Sequence, residues 1–210
     1  MLDTRIRPLI NRPLNATGLV LAQHGVSANG ITLGGLLVGL LAALAIAVNL
    51  PVLGFVLIVI NRVLDGLDGA VARATTTTDS GGYLDIVADY VFYASVPFAF
   101  ALADPGANAV AAAALLAAFC LTGASFLTFA TIAAKRGLET EAHGKKSFFY
   151  STGIIEGTET IMSFLLMAAF PAWFAGIAWV LSLLCVLTVV QRSMFAMNVF
   201  RNKTPPGPVE

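Results

Sequence analysis

The sequence predicts an all-α integral membrane protein with six transmembrane helices. Of the 210 residues, 58% are hydrophobic and only 11% are charged, whereas about a quarter of the residues in a typical soluble domain are charged. Six mostly apolar stretches are each long enough for a helix to cross a hydrocarbon core of about 30 Å, which takes about 20 residues. Polar or proline-containing segments separate these stretches, as expected of turns between helices. The stretches are 31–49, 52–74, 81–103, 107–134, 152–170 and 173–198.

The segment before the first stretch has mixed polarity. It fits an amphipathic helix lying in the membrane interface, with a disordered arm as the alternative. It lacks the short apolar core and small-residue cleavage site of a signal peptide, so we expect no processing. Asn29 and Thr32 lie near the start of the first stretch, where their side chains suit helix capping, with direct contact to a bound ligand as the alternative. The apolar and basic side chains of the helix are Leu2, Arg5, Ile6, Arg7, Leu9, Ile10 and Arg12.

Turn-forming residues mark the ends of the apolar stretches, and no internal repeat divides the chain. The sequence therefore predicts one domain. Its parts are an N-terminal interfacial segment at 1–30, a six-helix membrane core at 31–198 and a polar tail at 199–210. The turn residues are Asn49 and Pro51, the 75–80 segment with its four threonines, Asp104 to Gly106, the polar 135–146 segment, and Pro171.

The basic residues predict the orientation of the chain. Lys and Arg in short loops favour the cytoplasmic side of a membrane. All 12 Lys and Arg residues fall on one side of the predicted bundle, and the connections around Asn49, Asp104 and Pro171 contain none. Both termini are therefore expected in the cytoplasm. The formal net charge is zero, so nothing in the charge balance indicates a nucleic-acid partner.

Four aspartates lie at the cytoplasmic ends of the second and third stretches. Asp65 and Asp68 are three residues apart and Asp85 and Asp89 four apart, so each pair lies on one face of its helix. The short connection between these helices predicts antiparallel neighbours whose carboxylates converge. Oxygen ligands without His or Cys favour a hard cation such as Mg²⁺ or Mn²⁺ over zinc. Four carboxylates could bridge two such ions, as in two-metal phosphoryl-transfer sites.

The residues after Asp68 suit a phosphorylated ligand. Gly69 and Ala72 leave one helix face free of bulk, which allows a ligand to approach the backbone closely. Arg73 offers a planar fork that matches phosphate oxygens. A nucleotide diphosphate would fit such a surface.

Other interpretations of the carboxylates predict different behaviour. The acids could merely pair with Arg62 and Arg73 and cap helix ends, although two arginines cannot balance four carboxylates. The chain could instead be a non-catalytic membrane metal-binding protein or an ion or proton transporter, because intramembrane carboxylates also mark ion pathways. A conduit needs polar residues through the membrane midplane, however, and the far halves of these stretches are almost purely apolar.

The aspartate segment resembles the signature of the CDP-alcohol phosphotransferase family, D-x-x-D-G-x-x-A-R, a spacer, then G-x-x-x-D-x-x-x-D. The resemblance implies that Asp65, Asp68 and Asp85 bind two divalent cations, Mg²⁺ or Mn²⁺. It implies that Asp89 is a metal ligand, the general base, or both. The implied CDP-binding residues are Asp68, Gly69, Ala72, Arg73 and Gly81. The eight matching positions are Asp65, Asp68, Gly69, Ala72, Arg73, Gly81, Asp85 and Asp89.

The resemblance also implies the reaction. A phosphatidyl or other substituted phosphate group moves from a CDP-activated donor, usually CDP-diacylglycerol in this family, to the hydroxyl of a small acceptor, with release of CMP. The expected role is phospholipid biosynthesis, and the expected partners are membrane lipids and a second copy of the chain in a homodimer. The compact six-span form suggests a prokaryotic cytoplasmic membrane, with the active site facing the cytoplasm.

The acceptor is less well defined by the sequence. The segment from Gly153 to Thr160 resembles the G-L-I-E-R-x-E-R pattern of family members that use inositol phosphate, but Gly157 and Thr160 replace both arginines. This loss argues against a phosphorylated acceptor and leaves a polyol, amino alcohol or amino acid open. We expect Glu156 and Glu159 to line the acceptor pocket or to anchor the nearby basic loop. That loop could capture a phosphate, or serve only as a topology signal; its basic residues are Lys135, Arg136, His143, Lys145 and Lys146.

Overall fold

The computed structural model describes residues 3–137, 139–140, 147–148 and 153–201. The all-α fold predicted from the sequence is confirmed for these residues, which form seven α-helices, a 3₁₀ turn at Pro171–Trp173 and a two-residue antiparallel ladder. The proposed tail beyond residue 201 lies outside the described residues. The elements are α1 Asp3–Gln23, α2 Ala28–Ala47, α3 Pro51–Ala74, α4 Asp79–Ala103, α5 Pro105–Lys135, β1 Glu139–Thr140, β2 Ser147–Phe148, α6 Gly157–Ala169 and α7 Phe174–Arg201.

Side-chain caps begin the helices that frame the site. Ser27 Oγ accepts a hydrogen bond of 3.1 Å from Gly30 N at the start of α2. Thr78 Oγ1 accepts one of 3.1 Å from Gly81 N at the start of α4, which satisfies backbone donors that the helix itself leaves free. The prediction that Asn29 and Thr32 cap the first membrane helix was wrong, because Ser27 is the N-cap of α2 and both residues lie inside the helix.

Four helical segments are long and apolar enough to cross a membrane, namely α2, α4, α5 and the Pro171–Arg201 segment that contains α7. Many large apolar side chains lie exposed on the bundle, as on Val52, Val110 and Val180. The chain is therefore an integral membrane protein. The charged residues of α3 exclude it from this group, and α6 has only 13 residues, or about 20 Å. The count of six crossings stays a prediction.

Helix α2 packs closely against both α3 and α4. Helices α3 and α4 meet each other mainly through side chains, as where Arg62 Nη1 lies 3.1 Å from Asp89 Oδ1, so they are neighbours at the level of the carboxylates, as the sequence predicted. Glycine on α2 explains this arrangement. A Cβ atom on Gly39 would lie 2.7 Å from Phe92 Cδ2 on α4 and 3.0 Å from Asn61 Nδ2 on α3, so the missing side chain lets both helices approach α2 at one level.

An aromatic cluster fills the bundle next to α4. Phe92 and Phe164 are fully buried and meet edge to face, with ring centroids 5.9 Å apart. Tyr93 and Phe119 join the cluster at centroid distances of 6.2 Å and 6.0 Å from Phe164. These rigid rings fix the position of α4, which carries two of the predicted site aspartates.

Candidate active site

Three of the four predicted aspartates converge. Carboxylate oxygens of Asp65 on α3 and of Asp85 and Asp89 on α4 all lie within 4.8 Å of one another. The helical spacing aims the two α4 carboxylates the same way, and Asp65 reaches them from α3. This all-oxygen donor set suits a hard divalent cation such as Mg²⁺ or Mn²⁺.

The fourth aspartate, Asp68, lies beside this group and is only 6% exposed. Its Oδ2 atom accepts a hydrogen bond of 2.7 Å from Thr32 Oγ1 on α2. Hydrogen bonds to a carboxylate are stronger than those between neutral groups, so this contact orients Asp68 firmly.

The two arginines near the site have different partners. Arg62 Nη1 lies 3.1 Å from Asp89 Oδ1 and 3.5 Å from Asp65 Oδ2. Arg73 instead donates from Nη2 to Asn15 Oδ1 on α1, at 3.1 Å. The sequence suggested both arginines as partners of the acids, but among the described residues only Arg62 forms such ion pairs.

An open cleft adjoins the carboxylates and contains most of the residues predicted to bind CDP. Glycine shapes its walls: a Cβ atom on Gly69 would lie 3.1 Å from Arg73 Nη1, and one on Gly81 would lie 3.1 Å from Asn29 Oδ1. Gly69 thus allows the Arg73 side chain to fold back along α3. The lining residues are Ala28, Asn29, Thr32, Asp68, Gly69, Ala72, Thr76, Thr77, Thr78, Gly81, Gly82 and Asp85.

A second cavity of about 180 Å³ lies between α4, α5, α7 and the start of α6. It is lined by Tyr90, Tyr93, Phe119, Thr122, Gly123, Phe126, Ile155, Glu156, Gly157, Thr160, Cys185 and Arg192. Tyr90 and Tyr93 follow Asp89 on α4, and the Tyr93 ring centroid lies 5.9 Å from Arg62 Cζ, so one wall of the cavity packs against the side chains around the carboxylates. Asp89 itself lines the neighbouring carboxylate pocket.

Arg192 is the charged residue of this cavity that sequence reasoning missed. It is 6% exposed, and its Nη1 atom donates to Thr122 O at 3.0 Å and to Ser125 Oγ at 2.9 Å. Its buried Nε atom has no hydrogen-bond partner among the described residues. The sequence analysis counted Arg192 only as a topology signal. An arginine inside an apolar stretch was itself the available signal, because intramembrane charges mark functional sites.

The predicted acceptor residues lie in different places. Glu156 lines the second cavity, and Glu156 N donates to Glu159 Oε2 at 3.1 Å in a capping box that begins α6. Lys135 ends α5, and Arg136 Nη1 donates to Phe200 O at 2.6 Å. The other basic residues of the loop, His143, Lys145 and Lys146, lie outside the described residues.

These features define a helical membrane protein with a carboxylate group suited to divalent cations beside a small-residue cleft. Residues 26–191 match the model of the CDP-alcohol phosphatidyltransferase family. The chain therefore belongs to this family and is an enzyme, as the sequence predicted. The predicted use of divalent cations is confirmed by the carboxylate group together with this membership.

Two curated relatives show how far the similarity extends. The chain is 47% identical over 192 residues to the inner membrane protein YnjF of Escherichia coli (strain K12). The aligned region covers 91% of this chain and 93% of that relative. It is 37% identical over 100 residues to the archaetidylinositol phosphate synthase of Pyrococcus horikoshii, covering 47% and 53%.

Solved structures of the phosphatidylinositol phosphate synthase PgsA1 of Mycobacterium tuberculosis share the fold. The form with CDP-DAG bound has a TM-score of 0.69 at 21% identity and covers 95% of this chain and 98% of that one. The form in complex with manganese and citrate has a TM-score of 0.70 at 20% identity, covering 94% and 92%.

Proposed function

We propose that the protein transfers a phosphatidyl group from CDP-diacylglycerol to the hydroxyl of a small polar acceptor and releases CMP. One observation carries the proposal: the cleft with the small-residue face and the carboxylate group share Thr32, Asp68 and Asp85 as walls. A CDP group in the cleft would therefore have its diphosphate next to the carboxylates. The alternative functions of metal storage or ion transport do not need a cleft of this kind.

The cleft binds the CDP part of the donor through its shape and through Arg73. Gly69, Ala72 and Gly81 keep the walls low, so the nucleotide lies against the helix backbone. The guanidinium of Arg73 has five N–H donors, and Asn15 engages one of its nitrogens. Arg73 itself is not among the residues that line the cleft, but its Nη1 atom lies beside Gly69, which does, so its positive charge lies at the edge of the cleft, where it would attract the diphosphate. The CDP-DAG bound to the structural relative and the apolar outer faces of this bundle support a lipid donor.

The carboxylates would hold two divalent cations, Mg²⁺ or Mn²⁺, on Asp65, Asp68, Asp85 and Asp89. When bound, such ions neutralise phosphate oxygens and stabilise the leaving group. Thr32 fixes Asp68 for this role through its short hydrogen bond.

Asp89 is the proposed general base. It belongs to the carboxylate group and directly precedes Tyr90, which lines the second cavity, so an acceptor hydroxyl at that end of the cavity would need to come only a short way to reach it. Asp89 takes the hydroxyl proton while the oxygen attacks the β-phosphorus of the donor. A new P–O bond forms, the bond from the β-phosphorus to the bridging oxygen breaks, and its electron pair leaves with CMP.

The second cavity is the proposed acceptor pocket. Glu156 and Arg192 both line it, so Arg192 joins Glu156 of the predicted set, whereas Glu159, Lys135 and Arg136 are not among the lining residues of this cavity. Nη1 of Arg192 is anchored on Thr122 O and Ser125 Oγ, so the guanidinium supplies a fixed positive charge to the wall of the pocket. A fixed cation there favours an acceptor that brings oxygen atoms to it.

The proposed arrangement in the membrane has six crossings, with α3 and α6 completing the set. Both termini and the active site face the cytoplasm of a prokaryotic inner membrane, α1 lies in the interface, and two copies form a homodimer. The one-sided distribution of Lys and Arg supports the orientation, and the inner-membrane relative supports the location.

The proposal is tested by CMP release from CDP-diacylglycerol by purified protein with Mg²⁺ or Mn²⁺. The acceptors to compare are glycerol 3-phosphate, inositol phosphate, inositol, serine, ethanolamine and choline. Asp68→Asn should abolish release, and Asp89→Asn should lose turnover while donor binding persists. Asp104→Asn is the matched control, because Asp104 caps α5 at the other end of the bundle and asparagine caps equally well.

Each outcome bears on a different part of the proposal. CDP binding without release from any acceptor would contradict CDP-diacylglycerol as the donor. Full activity of Asp89→Asn would remove Asp89 from the role of base. A loss in Asp104→Asn as large as that in Asp68→Asn would mean that the aspartate variants report folding rather than catalysis.

A further inference from the structure

Arg62 is a buried and rigidly held cation inside the carboxylate group. Its side chain is 18% exposed, and its Nε atom donates to Asn61 Oδ1 at 2.8 Å. Asn61 is itself fixed, because its Nδ2 atom donates to Gly35 O on α2 at 2.8 Å. The guanidinium also lies over the Phe92 ring, 4.7 Å from its centroid. Asn61 therefore holds the Nε side of the guanidinium, and the Phe92 ring packs against one of its faces.

The free end of the guanidinium points at the acids. Nη1 lies 3.1 Å from Asp89 Oδ1 and 3.5 Å from Asp65 Oδ2, so one nitrogen joins a carboxylate of α3 to a carboxylate of α4. An arginine keeps its charge in proteins. The group of converging acids therefore contains a permanent positive charge, in addition to any metal ion that it binds.

The anchoring shows that this is more than a chance surface ion pair. An exposed pair with two mobile side chains contributes little, but here Asn61, Gly35 and Phe92 fix the position of the cation before any acid binds to it. Arg62 also lies outside the eight signature positions that the sequence analysis recognised. Nothing in the signature assigns it a role.

We propose that Arg62 is a resident cation of the metal centre and a positioning residue for Asp89. It holds Asp65 and Asp89 together when no divalent ion is bound, and it keeps the Asp89 carboxylate aimed for reaction. The second part rests on the proposed role of Asp89 as general base. The same charge repels divalent cations, so Arg62 preassembles the site at the expense of metal affinity.

The test compares Arg62→Met with Arg62→Lys in the purified full-length chain. Methionine keeps the length and the contact with Phe92 but removes the charge and the donors. Lysine keeps the charge but cannot span both carboxylates as a planar fork. Arg201→Gln is the control for the same loss of charge, since Arg201 lies at the exposed end of α7.

The first readout is the affinity for Mn²⁺ in the absence of nucleotide, measured by titration calorimetry. Arg62→Met should bind Mn²⁺ on the order of tenfold more tightly, because a unit charge next to a divalent ion matters even under strong screening. Arg62→Lys and Arg201→Gln should bind Mn²⁺ as the parent chain does. The second readout is the melting temperature, which should fall for Arg62→Met in EDTA and recover with Mn²⁺.

The third readout is the kinetics of CMP release. At saturating Mn²⁺, Arg62→Met and Arg62→Lys should both lower kcat with little change in the KM of the donor, since Asp89 loses its fixed orientation. A purely structural arginine would give the opposite metal result, with weaker Mn²⁺ binding in Arg62→Met. Unchanged or weaker Mn²⁺ binding in that variant therefore overturns the proposal.

The design separates this inference from the proposed function. Metal affinity and stability in EDTA require no turnover, so both still decide the role of the resident cation if CDP-diacylglycerol proves not to be the donor. If Arg62→Met does not fold, Arg62→Lys decides: unchanged metal affinity with reduced kcat supports the proposal, and tenfold altered affinity or unchanged kcat overturns it.

Discussion

Gly39 is the position where a single methyl group should separate the helices that carry the site. A Cβ atom there would lie 2.7 Å from Phe92 Cδ2 and 3.0 Å from Asn61 Nδ2. Neither neighbour can move freely, because Phe92 is fully buried and Asn61 donates to Gly35 O. Gly39→Ala should therefore push α3 and α4 away from α2.

The expected cost follows from two opposing effects. Overpacking a tight interior site costs about 1–3 kcal/mol, and replacing glycine by alanine in a helix returns up to about 1 kcal/mol. Gly34→Ala is the matched control on the same helix, because a Cβ atom there meets nothing within 4 Å. The difference between the two variants isolates the packing contribution of about 1–3 kcal/mol.

The assay is thermal unfolding of both variants in the same detergent, with Mn²⁺ titration as a second readout. For a chain of this length, 1 kcal/mol shifts the melting temperature by roughly 2–4 °C, so Gly39→Ala should melt several degrees below Gly34→Ala. Its Mn²⁺ affinity should also fall, because Asp65 on α3 and Asp89 on α4 move apart. Equal melting temperatures and equal Mn²⁺ affinities would refute the idea that α2 is wedged tightly between α3 and α4 at Gly39.

Three further predictions follow from individual contacts. Thr32→Val removes the 2.7 Å hydrogen bond to Asp68 and should weaken Mn²⁺ and CDP binding by about 1.5–3 kcal/mol, the worth of a bond to a charged group; calorimetry measures both. Asn15→Ala removes the hydrogen bond that orients Arg73 and should raise the KM of the donor a few-fold. In Asn15→Asp the new carboxylate would pair with the arginine charge, so the KM should rise further. Removal of divalent ions with EDTA should lower the free energy of unfolding by about 2.7 kcal/mol relative to protein at a metal concentration of 100 Kd. The melting temperature should fall as a result.

The outcomes that would contradict these predictions are distinct. Parental Mn²⁺ and CDP affinities in Thr32→Val would show that Asp68 does not depend on its hydroxyl donor. A lower donor KM for Asn15→Asp than for Asn15→Ala would contradict the charge argument for Arg73. A melting temperature that EDTA leaves unchanged would mean that the carboxylates do not need metal ions for stability.

Much of the fold could be read from local patterns. The apolar stretches matched the helices because the length of a hydrophobic run and the turn residues that end it are both local features of the sequence. Between α2 and α3, for example, the turn is formed by Asn49, which has a positive φ of 60°, and by Pro51. The spacing of Asp85 and Asp89 determined that they share a helix face for the same reason. The ends of the helices were less predictable. They depend on caps such as Ser27 and on whether a short segment such as α6 packs well enough to stay helical.

The sequence by itself determined the membrane class, the family and the carboxylates, since composition, helical periodicity and a compact motif are properties of neighbouring residues. Only the tertiary structure decided that α2 packs against both α3 and α4 at one level, which depends on the space left by Gly39. It alone paired Arg62 with Asp89 across 27 positions and brought Arg192 to within 3.0 Å of Thr122 O across 70 positions. Contacts between such distant residues arise from how helices pack, and no local pattern specifies them.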